Sequence, residues 1–285
     1  MQTASVLNFD TGESTHAPEL YAEVALARAF NGFADCDDTA LRLYKDQGYL
    51  AIENAFSPAE VQSAFKGLDD LVMGRYADFK GIVFESKARE ILPTLAIENR
   101  LDAVRKFADF VKYEPRLNAL AHHPQLIALI EKIIGDKAAL FQDMALIKPP
   151  RIGREKPWHQ DHAYFDFPLG TPVVGVWIAL DEATTENGCM RVLSGGHHDG
   201  PRLHFAKRDW QICDTEMAGV KPVAVPLRPG GLMLFDGLLP HGTPNNQSEK
   251  RRRALQYHYT GQSMKKWSKE ERMAIFGSEG KDVSC

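Results

Sequence analysis

The feature that most constrains the fold is a change in hydrophobic period at Gly135. Before it, apolar residues recur at helical spacing, as in 58–73. Ser57 and Glu60 match a capping box at the start of that predicted helix. After it, apolar and polar residues alternate with the period of a β-strand. Helices followed by strands predict an α+β fold in which the N-terminal helices pack against one face of a sheet structure.

Turn-forming residues divide the parts of the chain before and after Gly135 into helices and strands. Predicted helices cover 18–33, 38–47, 58–73, 101–110, 115–122 and 124–134, with one short strand at 49–52. Predicted strands cover 140–148, 173–180, 223–227, 232–236 and 254–260, and a short helix covers 269–275. No internal repeat interrupts this order. We therefore expect a single domain over 1–285, with an arm and helix at 1–35, a barrel core at 136–262 and a tail at 263–285.

Composition limits the classes of function. The 285 residues carry a net charge of −4, so the chain lacks the basic footprint of nucleic-acid binding. It begins without the basic and apolar regions of a signal peptide, and no run approaches the ~18 apolar residues that span a bilayer. Cys36, Cys189, Cys213 and Cys285 show neither zinc-site nor disulfide spacing, so we expect reduced thiols. These observations favour a cytoplasmic protein without nucleic-acid or membrane partners.

One short stretch carries candidate metal ligands. In an extended segment alternate side chains point the same way, so His159 and Asp161 share a face while Gln160 turns aside. His241, shortly after the strand predicted at 232–236, is the best candidate for a third ligand. Two histidines and one carboxylate form the facial triad of non-haem Fe(II) oxygenases. The simpler interpretation is a His-Asp hydrogen bond at a strand end beside an unrelated loop histidine.

An arginine at a fixed distance adds to this pattern. Arg252 lies eleven positions after His241. With these residues and the segment 176–181, the sequence resembles the phytanoyl-CoA dioxygenase family of Fe(II)/2-oxoglutarate oxygenases, in which a His-x-Asp pair, a distal histidine and an arginine have matching spacing. The resemblance covers about 40–262. It departs from the family at 194–196, where Ser-Gly-Gly stands in place of Pro-Gly-Ser.

The resemblance implies a double-stranded β-helix, the cupin-like jelly roll, buttressed by N-terminal helices. It implies Fe(II) held by His159, Asp161 and His241, with 2-oxoglutarate and O2 as cosubstrates. The implied activity is hydroxylation of an aliphatic C–H bond in a small-molecule substrate, with release of succinate and CO2. A segment such as 74–100 often lies over the barrel mouth in this fold. Two alternatives remain, a metal-dependent hydrolase or isomerase on the same barrel and a non-catalytic small-molecule-binding protein.

Four residues are candidates for holding 2-oxoglutarate. Arg252 offers two parallel donors that fit a carboxylate, and strand alternation places it on one face with small Ala254, which leaves space for a ligand. The resemblance implies that Thr243 touches the same carboxylate and that Trp177 and Gln142 lie beside the cosubstrate. The alternative for Arg252 is a solvated basic cluster, and the alternative for Trp177 is core packing.

Contacts to the prime substrate are less constrained by the sequence. Three aromatic residues in 164–167 directly follow the metal-ligand pair, where they form either an apolar wall of the site or part of the core. Arg151, Arg154 and Lys156 directly precede the pair. For these three residues a solvated charged loop is a simpler interpretation than contact with an anionic substrate.

Overall fold

The structure, a computed structural model, describes residues 7–10 and 16–277. The helices in this part of the chain are α1 (Asp38–Gln47), α2 (Pro58–Val72), α3 (Pro115–Ala121), α4 (Pro124–Ile134), α5 (Asp214–Met217) and α6 (Lys269–Phe276). The strands are β1 (Ala25–Leu26), β2 (Ala29–Asn31), β3 (Tyr49–Glu53), β4 (Ile82–Phe84), β5 (Val104–Ala108), β6 (Ala138–Lys148), β7 (Lys156–His159), β8 (Val174–Ala179), β9 (Met190–Val192), β10 (His204–Ala206), β11 (Trp210–Ile212), β12 (Val223–Val225), β13 (Leu232–Asp236), β14 (His241–Thr243) and β15 (Arg252–Gly261).

The strands form two large sheets and one hairpin. The larger sheet has eight strands in the order β2-β3-β13-β8-β15-β6-β5-β4, and the smaller has five in the order β1-β12-β9-β14-β7. Strands β10 and β11 pair as an antiparallel hairpin. The pairs β1 with β12 and β2 with β3 are parallel. The two sheets form a double-stranded β-helix, or jelly roll, and the predicted α+β fold class is confirmed.

The two faces of the larger sheet contact different parts of the protein. Leu255, Tyr257 and Tyr259 of β15 point to one face and are buried in an apolar cluster with residues of α1 to α4. Ala254 points to the other face, toward the smaller sheet, where it shares a second buried cluster with Trp177 of β8. Alternation along β15 therefore separates the hydrophobic core under the helices from an inner face that can hold a site.

Helix ends predicted from the sequence are confirmed. Asp37 caps α1 by accepting hydrogen bonds from two backbone N–H groups, at 2.8 and 3.1 Å. The same helix ends at Gly48, whose φ of 79° lies in the left-handed region that favours glycine. Ser57 and Glu60 form the capping box of α2. Helices α3, α4 and α6 also match predicted helices to within two residues at each end.

The helix predicted at 18–33, within the 1–35 region, is wrong. A single 3-10 turn covers Pro18–Tyr21, after which β1 runs parallel to β12 and β2 parallel to β3. The side chains of Val24 and Leu26 are each 62% exposed, so the apolar residues of this segment do not share a buried face. The backbone N–H of Ala27 donates to Ala224 of β12 at 2.8 Å, and that of Val24 donates to Pro222, directly before β12, at 3.0 Å. This sheet-edge pairing outweighs a weak helical periodicity.

The helix predicted at 101–110 is also wrong. A 3-10 helix over Ile97–Ala103 leads into β5, which pairs with β4 on one side and β6 on the other. Phe107 is fully buried under the helices, whereas Lys106 points to the inner face, opposite Leu146. The partner strand β6 is about 40 residues away in sequence. Local periodicity does not reveal such a partner, and the strand depends on it.

Strands β3, β6, β8, β12, β13 and β15 correspond to predicted strands, whereas most of the others are too short to show alternation. Cys36 and Cys189 are buried free thiols, as expected, Cys213 is buried with its Sγ 3.2 Å from Thr215 Oγ1, and Cys285 lies outside the described residues. None of the helices in 7–10 and 16–277 has the length and apolar content to cross a membrane.

Candidate metal and cosubstrate site

Three candidate ligands meet where β7 and β14 pair. His241 is the direct register partner of His159, and their ring centroids are 4.2 Å apart. Gln160 is extended, and Asp161 begins a 3-10 turn over Asp161–Tyr164. The Asp161 Oδ1 atom lies 3.2 Å from His159 Nε2 and 3.6 Å from His241 Nε2. All three ligand atoms lie within 4.8 Å of one another and are buried, which is a spacing that one metal ion can bridge.

Backbone carbonyls set the orientation of both histidine rings. The Nδ1 atom of His159 lies 2.7 Å from the carbonyl of Pro157, and that of His241 lies 2.9 Å from the carbonyl of Leu239. Each ring therefore donates from Nδ1 and leaves the Nε2 lone pair for a metal. Burial, followed by the neighbouring His159, lowers the pKa of His241 to about 3, so this imidazole is neutral at physiological pH.

The second carboxylate oxygen of Asp161 is held by two side chains of β15. Asp161 Oδ2 accepts a hydrogen bond from His258 Nε2 at 2.7 Å and another from Gln256 Nε2 at 3.2 Å. Burial would raise the pKa of Asp161, but the neighbouring His241 and His258, the latter with a hydrogen bond, hold it well below its usual range. The carboxylate is thus ionised, with Oδ1 directed at the two ligand histidines.

The residue between the ligands is anchored on both backbone and side chain. The Gln160 backbone N–H donates to Nε2 of buried His204 at 2.9 Å. Its side-chain amide donates to the carbonyls of Gly200 and Leu238, at 2.8 and 2.6 Å. Burial lowers the pKa of His204 to about 3, so Nε2 remains an acceptor. This anchoring fixes the separation of His159 and Asp161.

A glycine provides the space for the aromatic ring behind His241. The Phe235 ring lies 4.7 Å from the His241 ring, and it stands over Gly175 on the neighbouring strand β8. A Cβ atom at position 175 would lie 2.3 Å from the Phe235 ring. Only glycine therefore allows this close approach, and Phe235 in turn limits how far the His241 ring can move.

Arg252 differs from both of its neighbours in its partners. Arg251 pairs with Asp102 at 3.0 Å, and Arg253 binds Asp181 with two donors, each at 2.8 Å. Arg252 is 2% exposed and donates to the carbonyl of Leu146 at 3.2 Å, but the described residues offer it no carboxylate within ion-pair distance. Burial lowers its pKa to about 10, so the guanidinium stays charged. A buried charge without a counter-ion is costly unless a ligand supplies one.

The residues predicted to hold 2-oxoglutarate share one property. Each has a buried polar atom without a hydrogen-bond partner, namely Arg252 Nε, Thr243 Oγ1, Trp177 Nε1 and Gln142 Oε1. All four line the cavity that contains the candidate metal ligands, and the guanidinium of Arg252 lies 5.3 Å from the Trp177 ring centroid. Buried polar groups in folded proteins are normally paired. The unpaired donors of Arg252, Thr243 and Trp177 therefore fit a dianion such as 2-oxoglutarate, whereas Gln142 Oε1 is an acceptor and lies opposite His258, six residues along β15 from Arg252.

The cavity has a volume of about 560 Å³, within the usual range for small-molecule sites. Tyr164 and Phe165 line it, whereas Phe167 packs against Phe141 at 5.0 Å, away from the lining. Of the segment 74–100, Val83 contributes to the lining.

Arg154 and Lys156 do not belong to a solvated charged loop, so that interpretation is wrong for these two residues. Arg154 and Lys156 line the cavity, where Arg154 pairs with Asp10 at 2.8 Å. Lys156 donates to Asp209 at 2.8 Å and to the Tyr164 hydroxyl at 2.9 Å. Arg151 is exposed, as that interpretation requires. The β10 and β11 hairpin brings Asp209 to the cavity, and no local sequence signal predicts this.

Sequence reasoning missed several residues that the structure places at the site. Gln256 and His258 lie on the same predicted strand face as Arg252, so alternation gave a usable signal, but their target Asp161 is 95 and 97 residues away. Lys106 lies in the segment mistaken for a helix. For this residue no local signal was available.

A jelly roll with a His-Asp-His cluster and a buried unpaired arginine defines the class of 2-oxoglutarate-dependent non-haem iron oxygenases. Comparison with known proteins agrees with this class. The family model for phytanoyl-CoA dioxygenase (PhyH) matches residues 44–254. The chain belongs to this family and is an oxygenase whose cofactors are Fe(II) and 2-oxoglutarate.

Individual relatives are distant. Phytanoyl-CoA dioxygenase domain-containing protein 1 of Danio rerio is 24% identical over 277 residues, covering 82% of this chain and 93% of that protein. Peroxisomal phytanoyl-CoA dioxygenase of Bos taurus is 27% identical over 232 residues, covering 76% of this chain and 66% of that protein.

Solved structures share the fold. EvdO2 from Micromonospora carbonacea var. aurantiaca, complexed with 2-oxoglutarate, superposes with a TM-score of 0.63 at 24% identity, covering 87% of this chain and 96% of that chain. The carbocyclase SnoK from nogalamycin biosynthesis gives a TM-score of 0.64 at 20% identity, covering 82% and 88%. At these identities the likeness supports the fold, and the reaction has to be argued from the site.

Proposed function

We propose that the protein hydroxylates an aliphatic C–H bond of a small-molecule substrate, with Fe(II) bound by His159, Asp161 and His241. In this proposal Arg252 binds the distal carboxylate of 2-oxoglutarate. The observation that carries the proposal is the buried, uncompensated guanidinium of Arg252, with the unpaired donors of Thr243 and Trp177 in the same cavity as the ligand cluster. A hydrolase that used the metal alone would have no need of a buried, unneutralised guanidinium, which costs folding free energy.

The bound iron and 2-oxoglutarate supply the oxidising chemistry, in which O2 provides one oxygen atom to the substrate and one to succinate, with release of CO2. The chain's own residues bind and orient. His241 presents a neutral Nε2 atom, His159 contributes its own Nε2 atom beside it, and Asp161 presents an ionised Oδ1. These three ligands leave the remaining metal positions open for the cosubstrate and O2.

Cosubstrate orientation follows from the spacing along β15. Gln256, which binds Asp161, and Arg252 lie on the same inner face with Ala254 between them. The methyl group of Ala254 fills little of the space between the metal ligands and the guanidinium. A dicarboxylate can therefore reach from the metal to Arg252, while Thr243 and Trp177 donate from the sides.

An anaerobic titration tests this proposal. Protein loaded with Fe(II) is expected to develop the weak visible charge-transfer band of the iron chelate when 2-oxoglutarate is added. His241→Ala is expected to lose the band because iron is no longer held, whereas Arg251→Met, a matched control, keeps it. Wild-type protein that binds the metal but shows neither the band nor 2-oxoglutarate binding would support the metal-dependent hydrolase or isomerase instead.

Product analysis then identifies the reaction. Candidate metabolites that stimulate succinate release are analysed by mass spectrometry. Hydroxylation adds one oxygen atom to the substrate, whereas isomerisation leaves its mass unchanged. A turnover-dependent product of unchanged mass would refute hydroxylation while leaving the iron and 2-oxoglutarate assignments intact.

We also propose that the chain acts as one domain. Elements near both ends of the described residues contact the same core, because β1 pairs with β12 and because α6 reaches the metal region. Arg272 of α6 donates to Asp166 at 2.7 Å and to the carbonyl of Ala163 at 2.6 Å. Limited proteolysis is expected to leave one resistant fragment, and two separately stable fragments would contradict a single domain.

A further inference from the structure

The cavity is strongly basic in a protein of negative net charge. Its lining includes eight lysine or arginine side chains and three aspartates, whereas the whole chain carries −4. A bound divalent metal would add to this excess. Charges of one sign in a concave, partly desolvated site raise the local concentration of oppositely charged ligands.

Most of the basic side chains already have partners. Asp10 contacts both Arg105, at 3.3 Å, and Arg154, at 2.8 Å. Lys156 pairs with Asp209 at 2.8 Å. These cations are neutralised within the protein. They need no ligand to compensate their charge.

The remaining basic residues of the lining also contact polar partners. The exceptions are Arg252, which lacks a carboxylate partner, and Lys106. Arg208 binds Asp214 and Glu155, and Lys148 donates to a backbone carbonyl. Lys106 differs from both. Within the part of the chain that the structure describes, its ammonium group makes no hydrogen bond and no ion pair, although it lines the cavity.

Lys106 lines the same cavity as the candidate metal ligands, and it lies on β5, whereas Arg252 lies on β15. On the inner face of the larger sheet it is the register partner of Leu146, which is in turn the partner of Ala254. Two strand spacings, about 10 Å, therefore separate the backbone of Lys106 from that of Ala254. Among the charged groups, Lys156 and Asp209 act most strongly on Lys106, followed by Arg105 and Asp10, and neither aspartate forms an ion pair with it. Burial and Lys156 lower the pKa of Lys106, which means that its charged form is destabilised. A bound anion would offset this destabilisation.

We propose that Lys106 binds an anionic oxygen group of the prime substrate, so that this enzyme acts on a small acid. The inference rests on the proposed function, which makes this cavity the active site. It adds a second anion-binding position to the one at Arg252. The anion is a carboxylate or a phosphate, since either oxyanion accepts hydrogen bonds from an ammonium group.

The cavity wall suits the rest of such a substrate. Tyr164, Phe165 and Trp210 line the cavity together with Lys106, and the Tyr164 ring packs edge-on against the ring of His159 at 5.7 Å. An acid anchored at Lys106 would therefore lie with its carbon skeleton against aromatic side chains and close to a metal ligand. Anchoring one end in this way limits which C–H bond faces the metal.

Thermal denaturation of the Fe(II)-loaded protein under anaerobic conditions, with saturating 2-oxoglutarate, tests the inference without a known substrate. Acetate, inorganic phosphate and uncharged acetamide are the probes, each compared with chloride at equal ionic strength. An oxyanion at about ten times its Kd is expected to raise the wild-type Tm by about 2–4 °C, because it binds only the folded protein. Acetamide is expected to leave the Tm unchanged.

Three variants assign the effect to one side chain. Lys106→Met keeps the apolar stem and should lose the anion-dependent rise, whereas Lys106→Arg should keep most of it. Lys87→Met, which removes an exposed lysine outside the cavity lining, should behave like wild type. A larger rise with acetate indicates a carboxylic acid as substrate, and a larger rise with phosphate indicates a phosphate ester.

Two results would overturn the inference. One is the absence of any oxyanion-dependent rise in the wild type, and the other is an undiminished rise in Lys106→Met. The Tm change on adding 2-oxoglutarate itself is measured in the same experiment. If that change is absent, the proposed function fails; if it is present while the oxyanion effect is missing, only the role of Lys106 fails.

Discussion

Replacing Arg252 with methionine should weaken 2-oxoglutarate binding and at the same time stabilise the ligand-free protein. Methionine has a similar length and no charge. Burial lowers the pKa of Arg252 to about 10, from an ordinary 12.5. That difference corresponds to about 3 kcal/mol of unfavourable free energy for holding the charged form in the folded protein. The guanidinium is charged at pH 7 in both the folded and unfolded protein, so this whole cost opposes folding.

The contacts that Arg252 makes offset part of that cost. Its hydrogen bond to the carbonyl of Leu146 and its stacking on Trp177 contribute about 1 kcal/mol each. The net gain from Arg252→Met is therefore about 1 kcal/mol, or a rise of about 2 °C in Tm. Two lost charge-assisted hydrogen bonds to the cosubstrate should cost about 3–5 kcal/mol, so 2-oxoglutarate should bind at least about 100-fold more weakly.

These two effects predict a reversal that is easy to measure. Without 2-oxoglutarate the variant should melt above the wild type. With the cosubstrate at about 100 times the wild-type Kd, the wild type gains about 2.7 kcal/mol and should melt higher. Calorimetric titration on metal-loaded protein gives the affinities. Arg253→Met is the matched control, because it loses the two bonds to Asp181 and should destabilise the protein without changing 2-oxoglutarate affinity.

The reasoning would be refuted if Arg252→Met bound 2-oxoglutarate as tightly as the wild type. It would also be refuted if Arg251→Met, Arg252→Met and Arg253→Met lost affinity equally. Either result would mean that the guanidinium of Arg252 has a structural role. The unpaired Nε atom would then need another explanation.

Further variants test the metal site. His159→Ala or His241→Ala should abolish Fe(II) binding and turnover while the far-UV circular dichroism stays native, and wild-type affinity in either variant would refute the ligand assignment. His258→Phe should lower metal affinity about 10–100-fold without abolishing it, because Asp161 keeps Gln256 as a partner; equilibrium dialysis would show an unchanged affinity if His258 does not position the carboxylate. With chloride present, mass spectrometry should detect a hydroxylated product and no chlorinated one, since Asp161 is the proposed third ligand and would leave chloride no position, and Asp161→Gly should lose hydroxylation. A chlorinated product from the unmodified enzyme would contradict this role of Asp161.

The parts of the molecule that the sequence predicted well depend on local chemistry. The ends of α1 and α2 follow from capping side chains and a glycine within the helix termini themselves. His159 and Asp161 are two residues apart, so backbone geometry alone brings them to one side. Arg252 was placed on the inner face by alternation along a single strand. None of these inferences needed a distant partner.

The parts that the sequence did not predict depend on distant partners. Strand β5 forms because β6 supplies its hydrogen bonds, and its apolar residues taken alone suggested a helix. For the same reason Lys106 was not recognised as a cavity residue. The sequence favours a solvated Lys156 because it does not reveal the partner, Asp209, which lies on a hairpin about 50 residues later. A charged side chain cannot be classified as buried or solvated until its partner is known.

The direct pairing of His159 with His241 across β7 and β14 has a consequence for assembly of the native protein. A metal bound to both would act as a cross-link that closes a loop of about 80 residues, in the way a disulfide does. Metal loading and folding are then linked, because the metal would join the facing ends of β7 and β14. These paired ends form a seam between the two strands that the metal stabilises. Removing the metal should speed amide hydrogen exchange and proteolytic cleavage along this seam, while the helix-covered face of the larger sheet remains protected.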